Sequence, residues 1–508
     1  MKRLTFPTSK YGELLALLYG ILFTLAFAPF DYPYLSIIAL SCLFASWQQV
    51  TPKRAMLRAY LFGLGSFGLG VSWVYVSIHD YGYVSVTISA LLTMIFVAVW
   101  ALFPMLVGYL STAVSPKSSV RLLITPALWM LIEYLRGHLF LNGFPWLLCA
   151  YPQLETPLAG YVPVFGVYGT GFIVTSTAAM IAALIIHKHR VWLFSGAIAI
   201  IWAIGFLLKS FTWTHSIGDP VNVALIQGNI EQDQKWLPEN KIKTLGLYQS
   251  LTEQHWGTPI IIWPETSVPA FYSEINEAFL QPLSQSAAQQ HSDVVASLPL
   301  DDNTLNEYYN AVLTLGKENR FYRKTHLLPF GEYLPWQPVS GFVLKLIGLK
   351  LGNFTPGQLN QPLLKAGGYA FTTSICYEDA FGDLAINNLQ NAAYLVNVTN
   401  DAWFGHSIEP HQHMQIARMR ALETGRFLLR ATNTGITGIV DPKGKLIKQA
   451  QPFTTTVLTG AIIPMNGLTP YAKIGDKPIL YSLLVLLFGV VIYEKYFLKQ
   501  RKSQRTIY

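Results

Sequence analysis

Charge is scarce in this chain. Only 13% of its 508 residues are Asp, Glu, Lys or Arg, and 52% are hydrophobic, whereas soluble domains carry roughly a quarter charged residues. With a mean hydropathy of +0.34, part of the chain is expected to be solvated by lipid. Cysteine is scarcer still. The three residues Cys42, Cys149 and Cys376 cannot build a disulfide framework, and no CxxC or Cys/His cluster suggests a structural metal. Internal repeats and low-complexity tracts are missing too. The net charge of +8 does not imply nucleic acid, because many basic residues fall beside apolar segments. An anionic membrane face is the partner that fits.

Apolar runs long enough to cross a bilayer, or nearly so, fill the first two-fifths of the sequence, at about 12–29, 34–49, 58–78, 84–112, 121–136, 158–186 and 191–209. An eighth lies near 479–497. Lys and Arg collect in alternate connections: Lys2, Arg3 and Lys10; Lys53, Arg54 and Arg58; Lys117 and Arg121; Lys188 and Arg190; Lys499, Arg501, Lys502 and Arg505. All of these can be cytoplasmic at once, which puts the polar block between the seventh and eighth runs outside. The expected organisation is a membrane domain at 1–212 with seven transmembrane helices, a catalytic block at 219–465, and a C-terminal transmembrane helix with a basic cytoplasmic tail at 477–508.

The polar block alternates short apolar runs with polar helical stretches. Val221–Ile226, Pro259–Trp263, Val294–Leu298, Ala311–Leu315 and 393–398 read as buried strands. Glu239–Gln254, Ser273–Gln290 and Pro410–Arg430 read as helices. This alternation predicts a layered α/β domain of its own.

Within it, Thr372–Ile375 is a strand that ends on Cys376, with Glu378 and Asp379 just beyond. The carboxyl end of a strand in an open α/β sheet is where ligands sit, and a thiol there is a candidate nucleophile. A buried structural cysteine is the alternative on this stretch alone. A thiol nucleophile needs a base for its proton and a donor for the oxyanion that forms on attack. Ile260–Trp263 is a strand that stops at Pro264 and delivers Glu265, and Arg320–Arg323 leads into Lys324.

In the order Glu, Lys, Cys, this block resembles the nitrilase (carbon–nitrogen hydrolase) superfamily, from Asn222 to about Ile463. The forms Trp263-Pro264-Glu265-Thr266, Pro329-Phe330-Gly331-Glu332-Tyr333 and Ser374-Ile375-Cys376-Tyr377-Glu378, together with the apolar runs, look like the apolipoprotein N-acyltransferases within it. That resemblance extends to Glu133-Tyr134-Leu135-Arg136 and Gly143-Phe144-Pro145-Trp146. It implies a helical membrane domain of about eight helices with an extracytoplasmic α-β-β-α sandwich. It also implies Glu265 as general base, Lys324 as oxyanion stabiliser and Cys376 as acyl-accepting nucleophile, with Trp236, Glu332, Tyr377 and Glu378 in support. The implied partners are a phospholipid acyl donor, a diacylglyceryl apolipoprotein acceptor and the bilayer of a bacterial inner membrane, with no cofactor, no metal and a monomeric chain. The rival expectations are a membrane-tethered amidase of the same superfamily and a transporter or receptor with an inactive binding domain.

Other features read more plainly. Gly63, Gly65 and Gly68 match GxGxxG, but they lie inside an apolar run where small residues serve helix packing. His411 and His413 form a pair at a helix start with no further ligand set. Glu133 can pair with Arg136 one turn on, and Glu13 lies near enough to the cytoplasmic end to reach water. The apolar loop Val339–Leu351, with Phe342 and Leu344, is expected to dip into the interface or to pack on its own domain.

Overall fold

The computed structural model describes residues 11–187, 190–302, 307–336, 341 and 353–505. The expected interfacial loop at 339–351 therefore lies, apart from Gly341, outside the described residues. The chain forms two compact units. One comprises Met1–Ser72, Thr87–Phe211 and Ile474–Tyr508, and the other comprises Trp73–Val86 and Thr212–Lys473.

The first unit is helical: α1 (Tyr11–Thr24), α2 (Tyr34–Ser46), α3 (Pro52–Gly70), α4 (Val86–Ala113), α5 (Ser118–His138), α6 (Val162–Ile186), α7 (Val191–Leu208) and a C-terminal helix, Lys477–Arg505. Five helices among the described residues are long and apolar enough to cross a membrane, or six if α3 and the bent helix after it make one span. Seven spans are expected before residue 212, and α1 and α2 are shorter apolar helices among the described residues. The described parts of α1 and α2 have 14 and 13 residues. At about 1.5 Å per residue the 13 residues of α2 rise about 20 Å, against a hydrocarbon core roughly 30 Å thick. The backbone between them turns through Ala28-Pro29 and Pro33, where a helix cannot continue. In α3, a Cβ on Gly65 would run into the Leu17 carbonyl of α1, and one on Gly63 into Ala101 of α4. These glycines serve close helix packing. Glu133 pairs with Arg136 at 3.6 Å, and Glu13 does not simply face water: it meets Arg54 at 2.6 Å and Arg58 at 3.6 Å.

The second unit is built on two six-stranded sheets. Its strands are β1 (Val221–Gln227), β2 (Ile260–Ile262), β3 (Asp293–Asp302), β4 (Glu307–Leu315), β5 (Arg320–Arg323), β6 (Leu364–Ala366), β7 (Tyr369–Ile375), β8 (Tyr394–Thr399), β9 (Leu428–Thr432), β10 (Gly438–Val440), β11 (Leu446–Gln449) and β12 (Thr456–Ile462). One sheet has the order β12-β1-β2-β3-β4-β5 and the other β11-β10-β9-β8-β7-β6. The pairs β1–β2, β2–β3, β7–β8 and β8–β9 are parallel, and antiparallel strands flank them.

Alternation along each strand sorts side chains to the two faces. Val223, Leu225, Ile260 and Ile262 face Phe371, Ile375, Val396, Val398 and Leu429 across a dry layer between the sheets. Ala224, Ile226 and Ile261 point the other way, onto Tyr248 of α8 (Pro238–Glu253) and Leu283 of α9 (Gln281–Gln289). On the far side, Leu395 and Leu428 meet Met414, Ala417 and Ala421 of α10 (Glu409–Thr424). The result is an α-β-β-α sandwich. The helix expected at 410–430 is shorter than that, because Gly425 takes a left-handed conformation (φ +63°) that closes α10. Residues 428–432 are then free to form β9.

Candidate active site

Glu265, Lys324 and Cys376 each follow the end of a strand, and the chain leaves each strand sharply. Cys376 has φ +52° and opens the short 3₁₀ helix Cys376–Ala380 directly after β7. A left-handed conformation is costly for a residue with a Cβ, so the surrounding bonds must hold it.

Glu378 supplies many of those bonds. Its Oε2 accepts from the Ile375 amide at 2.8 Å, back across the elbow. Its Oε1 accepts from the Thr325 amide at 2.6 Å, the Thr325 hydroxyl at 2.8 Å, the His326 amide at 3.0 Å and the Tyr322 hydroxyl at 3.0 Å. One buried carboxylate thus ties the cysteine elbow to the chain that carries Lys324. Tyr377 lies in an aromatic group, 5.3 Å from the Phe381 ring centroid and 6.1 Å from that of His326.

A second network fixes the other two groups. Asn310 of β4 donates from Nδ2 to Glu265 Oε1 at 2.8 Å and to Glu332 Oε1 at 2.9 Å. Lys324 Nζ lies 2.9 Å from Glu332 Oε1 and 2.8 Å from its Oε2, and the Lys324 amide donates to the Asn310 carbonyl at 2.8 Å. The Leu328 amide donates to Glu332 Oε2 at 2.8 Å. Burial opposes the Lys324 charge, but Glu332, then Glu265 and Cys376, outweigh it and hold the ammonium above the usual lysine range. Burial foremost, and then Glu265, push the Cys376 thiol well above its ordinary value against the pull of Lys324. At rest the thiol is therefore protonated and needs a base to become a nucleophile.

Among the expected supporting residues, Glu332 and Glu378 fall in these networks and Tyr377 in the aromatic group beside them, while Trp236 is 51% exposed. The residue beside Trp236 is the surprise. Lys235 is 3% exposed and donates to the Glu265 backbone carbonyl at 3.1 Å. Burial pulls its ammonium down to about 8, against the attraction of Glu265 and Cys376. A lysine in a polar loop reads as surface, so the sequence carries no signal for it. Asn310 does leave one, as an amide inside the apolar run of β4.

Behind the elbow lies a charged cluster that the sequence hides. Arg430 of β9 reaches Asp379 at 2.9 Å and Asp401 at 3.2 Å. His413 of α10 places Nδ1 2.9 Å from Asp401 Oδ1, and its Nε2 lies 2.9 Å from Asp379 Oδ1 and 3.3 Å from the Cys376 carbonyl. Burial and Arg430 oppose a charge on His413, but Asp379 and Asp401 raise it to about 10. His413 and Arg430, working against burial, hold Asp401 down at about 2. Asp401, Glu409 and His413 are close enough together to suggest a metal. Here His413 lies 2.9 Å from Asp401 and 3.4 Å from Glu409, and Arg430 brings a further cation 3.2 Å from Asp401.

The family model described as Apolipoprotein N-acyltransferase N-terminal domain matches residues 19–180, and that described as Carbon-nitrogen hydrolase matches residues 222–471. An apolipoprotein N-acyltransferase of Methylococcus capsulatus is 49% identical, over 92% of this chain and 93% of its own. Another, from Pseudomonas aeruginosa, is 39% identical over 95% and 96%. A solved CN-hydrolase superfamily protein of Xanthomonas campestris aligns with a TM-score of 0.37 at 17% identity, covering 48% of this chain and 91% of that one. On the extent and identity of the first two relatives, this chain belongs to the apolipoprotein N-acyltransferase family.

Proposed function

We propose that the protein moves one fatty acyl chain from a membrane phospholipid, through a thioester on Cys376, to the α-amine of an N-terminal S-diacylglyceryl cysteine. Glu265 takes the thiol proton, and the thiolate attacks an ester carbonyl of the lipid. Lys324, fixed on Glu332, stabilises the tetrahedral oxyanion. Lysophospholipid leaves with a proton returned by Glu265, and the acyl-enzyme remains. The acceptor amine then attacks the thioester and gives its proton to Glu265; the C–S bond breaks, the product departs as an amide, and Glu265 returns the proton to the Cys376 thiolate. In this reading Glu378 and the Asp379–His413–Arg430 cluster position the elbow and touch no substrate.

The observation that carries the reading is the Asn310 bridge, which places the Glu265 carboxylate and the Glu332-bound Lys324 in one network coupled to Cys376. The membrane unit has a physical purpose here. Each buried CH2 is worth about 0.8 kcal/mol, so lifting a long acyl chain into water would cost on the order of 10 kcal/mol. The distribution of Lys and Arg supports an inner-membrane chain with its catalytic unit on the periplasmic side.

A peptide with an S-diacylglyceryl cysteine at its N-terminus, mixed with the protein and phospholipid, is expected to gain the mass of one acyl group. Release of free fatty acid in place of peptide acylation would identify a hydrolase and overturn the proposal.

A further inference from the structure

Lysines 235 and 324 are both buried near the thiol, and their surroundings differ in kind. Lys324 has both oxygens of Glu332 within 2.9 Å. Lys235 has no carboxylate within ion-pair distance among the described residues. Its hydrogen bond goes to a neutral acceptor, the Glu265 carbonyl at 3.1 Å. An ammonium has three donors, so two remain unspent on a side chain that is 97% buried. A buried charge without a counter-charge is costly, and proteins pair such groups or leave them for a ligand. Burial already drags this ammonium down to about 8, which a bound anion would reverse.

We propose that Lys235 binds the phosphate of the acyl donor and so selects phospholipids over uncharged acyl esters. This rests on the phospholipid-to-lipoprotein reading above. Three candidate anions arise beside such a cation: the transient oxyanion, the Cys376 thiolate that attacks the donor, and the donor's own phosphodiester. The oxyanion falls to Lys324, which keeps its charge throughout. The thiolate is momentary. The phosphodiester is a permanent monoanion a few bonds from the ester carbonyls, so it lies within reach of a cation anchored on the backbone of Glu265. Lys235 is thus a binding residue for the donor, and its loss acts on one class of donor more than another.

The experiment measures the rate of Cys376 acylation by intact mass, with phosphatidylglycerol and with diacylglycerol of the same chains in matched detergent micelles, for wild type, Lys235→Met and Lys235→Arg. A hydrogen bond to a charged group is worth about 1.5–3 kcal/mol, so Lys235→Met is expected to lower the phospholipid-to-diacylglycerol rate ratio roughly 10- to 100-fold. Lys235→Arg, which keeps the charge, is expected to restore most of that ratio. An equal loss with both donors would overturn the proposal and place Lys235 at the reacting carbonyl or in the packing, and an unchanged ratio at full rate would remove any role for it. Wild type that takes an acyl group from neither donor would instead sink the transferase reading itself, a result distinct from either of those.

Discussion

Asn310 Nδ2 holds Glu265 Oε1 at 2.8 Å, and the same nitrogen holds Glu332 Oε1 at 2.9 Å. One amide therefore sets the position of Glu265 and, through Glu332, of Lys324. Asn310→Leu keeps the volume and removes the donor. The rate of thioester formation is expected to fall roughly 10- to 100-fold, the cost of a hydrogen bond to a charged group. Single-turnover acylation followed by quench and mass measurement gives that rate, and a variant at wild-type rate would show that Glu265 needs no such support.

Glu378 accepts five hydrogen bonds across two segments. Glu378→Gln turns one acceptor into a donor facing N–H or O–H groups, so at least one buried pair clashes. The expected loss is about 2–3 kcal/mol of stability, read as a lower thermal midpoint of the purified protein. Wild-type stability would mean that the elbow is held by other contacts.

The cluster behind the elbow makes stability depend on pH. His413 is raised to about 10, above the ordinary histidine value of 6.5. A raised base contributes stability that is complete below 6.5 and is lost as pH climbs through about 10. Asp401, lowered to about 2 from 3.8, contributes stability that is complete above 3.8 and is lost as pH falls through about 2. The thermal midpoint is therefore expected to decline between pH 7 and 10, by the equivalent of a few kcal/mol. His413→Gln is expected to start lower and to lose most of that alkaline slope. A variant that keeps the full slope would assign it to another group.

Small residues in the membrane unit invite a test of packing. Gly65→Leu would drive a side chain into the Leu17 carbonyl of α1, and overpacking of this kind costs about 1–3 kcal/mol or more. Lower yield and a lower melting temperature in detergent are expected. A variant as stable as wild type would show that α1 and α3 separate at little cost.

The placing of Glu265 and Cys376 just beyond strand ends is legible in the sequence, because the apolar runs before them stop abruptly. What Glu378 does is not legible, since its partners Thr325 and Tyr322 lie more than fifty positions upstream. Arg430 is masked for a different reason. Its neighbours Leu428, Leu429 and Ala431 fit a helix or a buried strand equally, and only the left-handed turn at Gly425 decides between them. Lys235 looks solvated from its polar loop, and burial is a property of the fold. In the membrane unit, hydropathy finds the apolar runs but not the turn of the backbone through Pro29 and Pro33 between α1 and α2.

The most direct test of the central claim is the intact mass of the purified protein after exposure to phospholipid alone, with no acceptor. The account predicts a gain of one fatty-acyl group that hydroxylamine removes, absent in Cys376→Ala and slowed by Glu265→Gln and Lys324→Met. An acyl adduct that persists in Cys376→Ala, or no adduct in wild type that still acylates the lipopeptide, would contradict it.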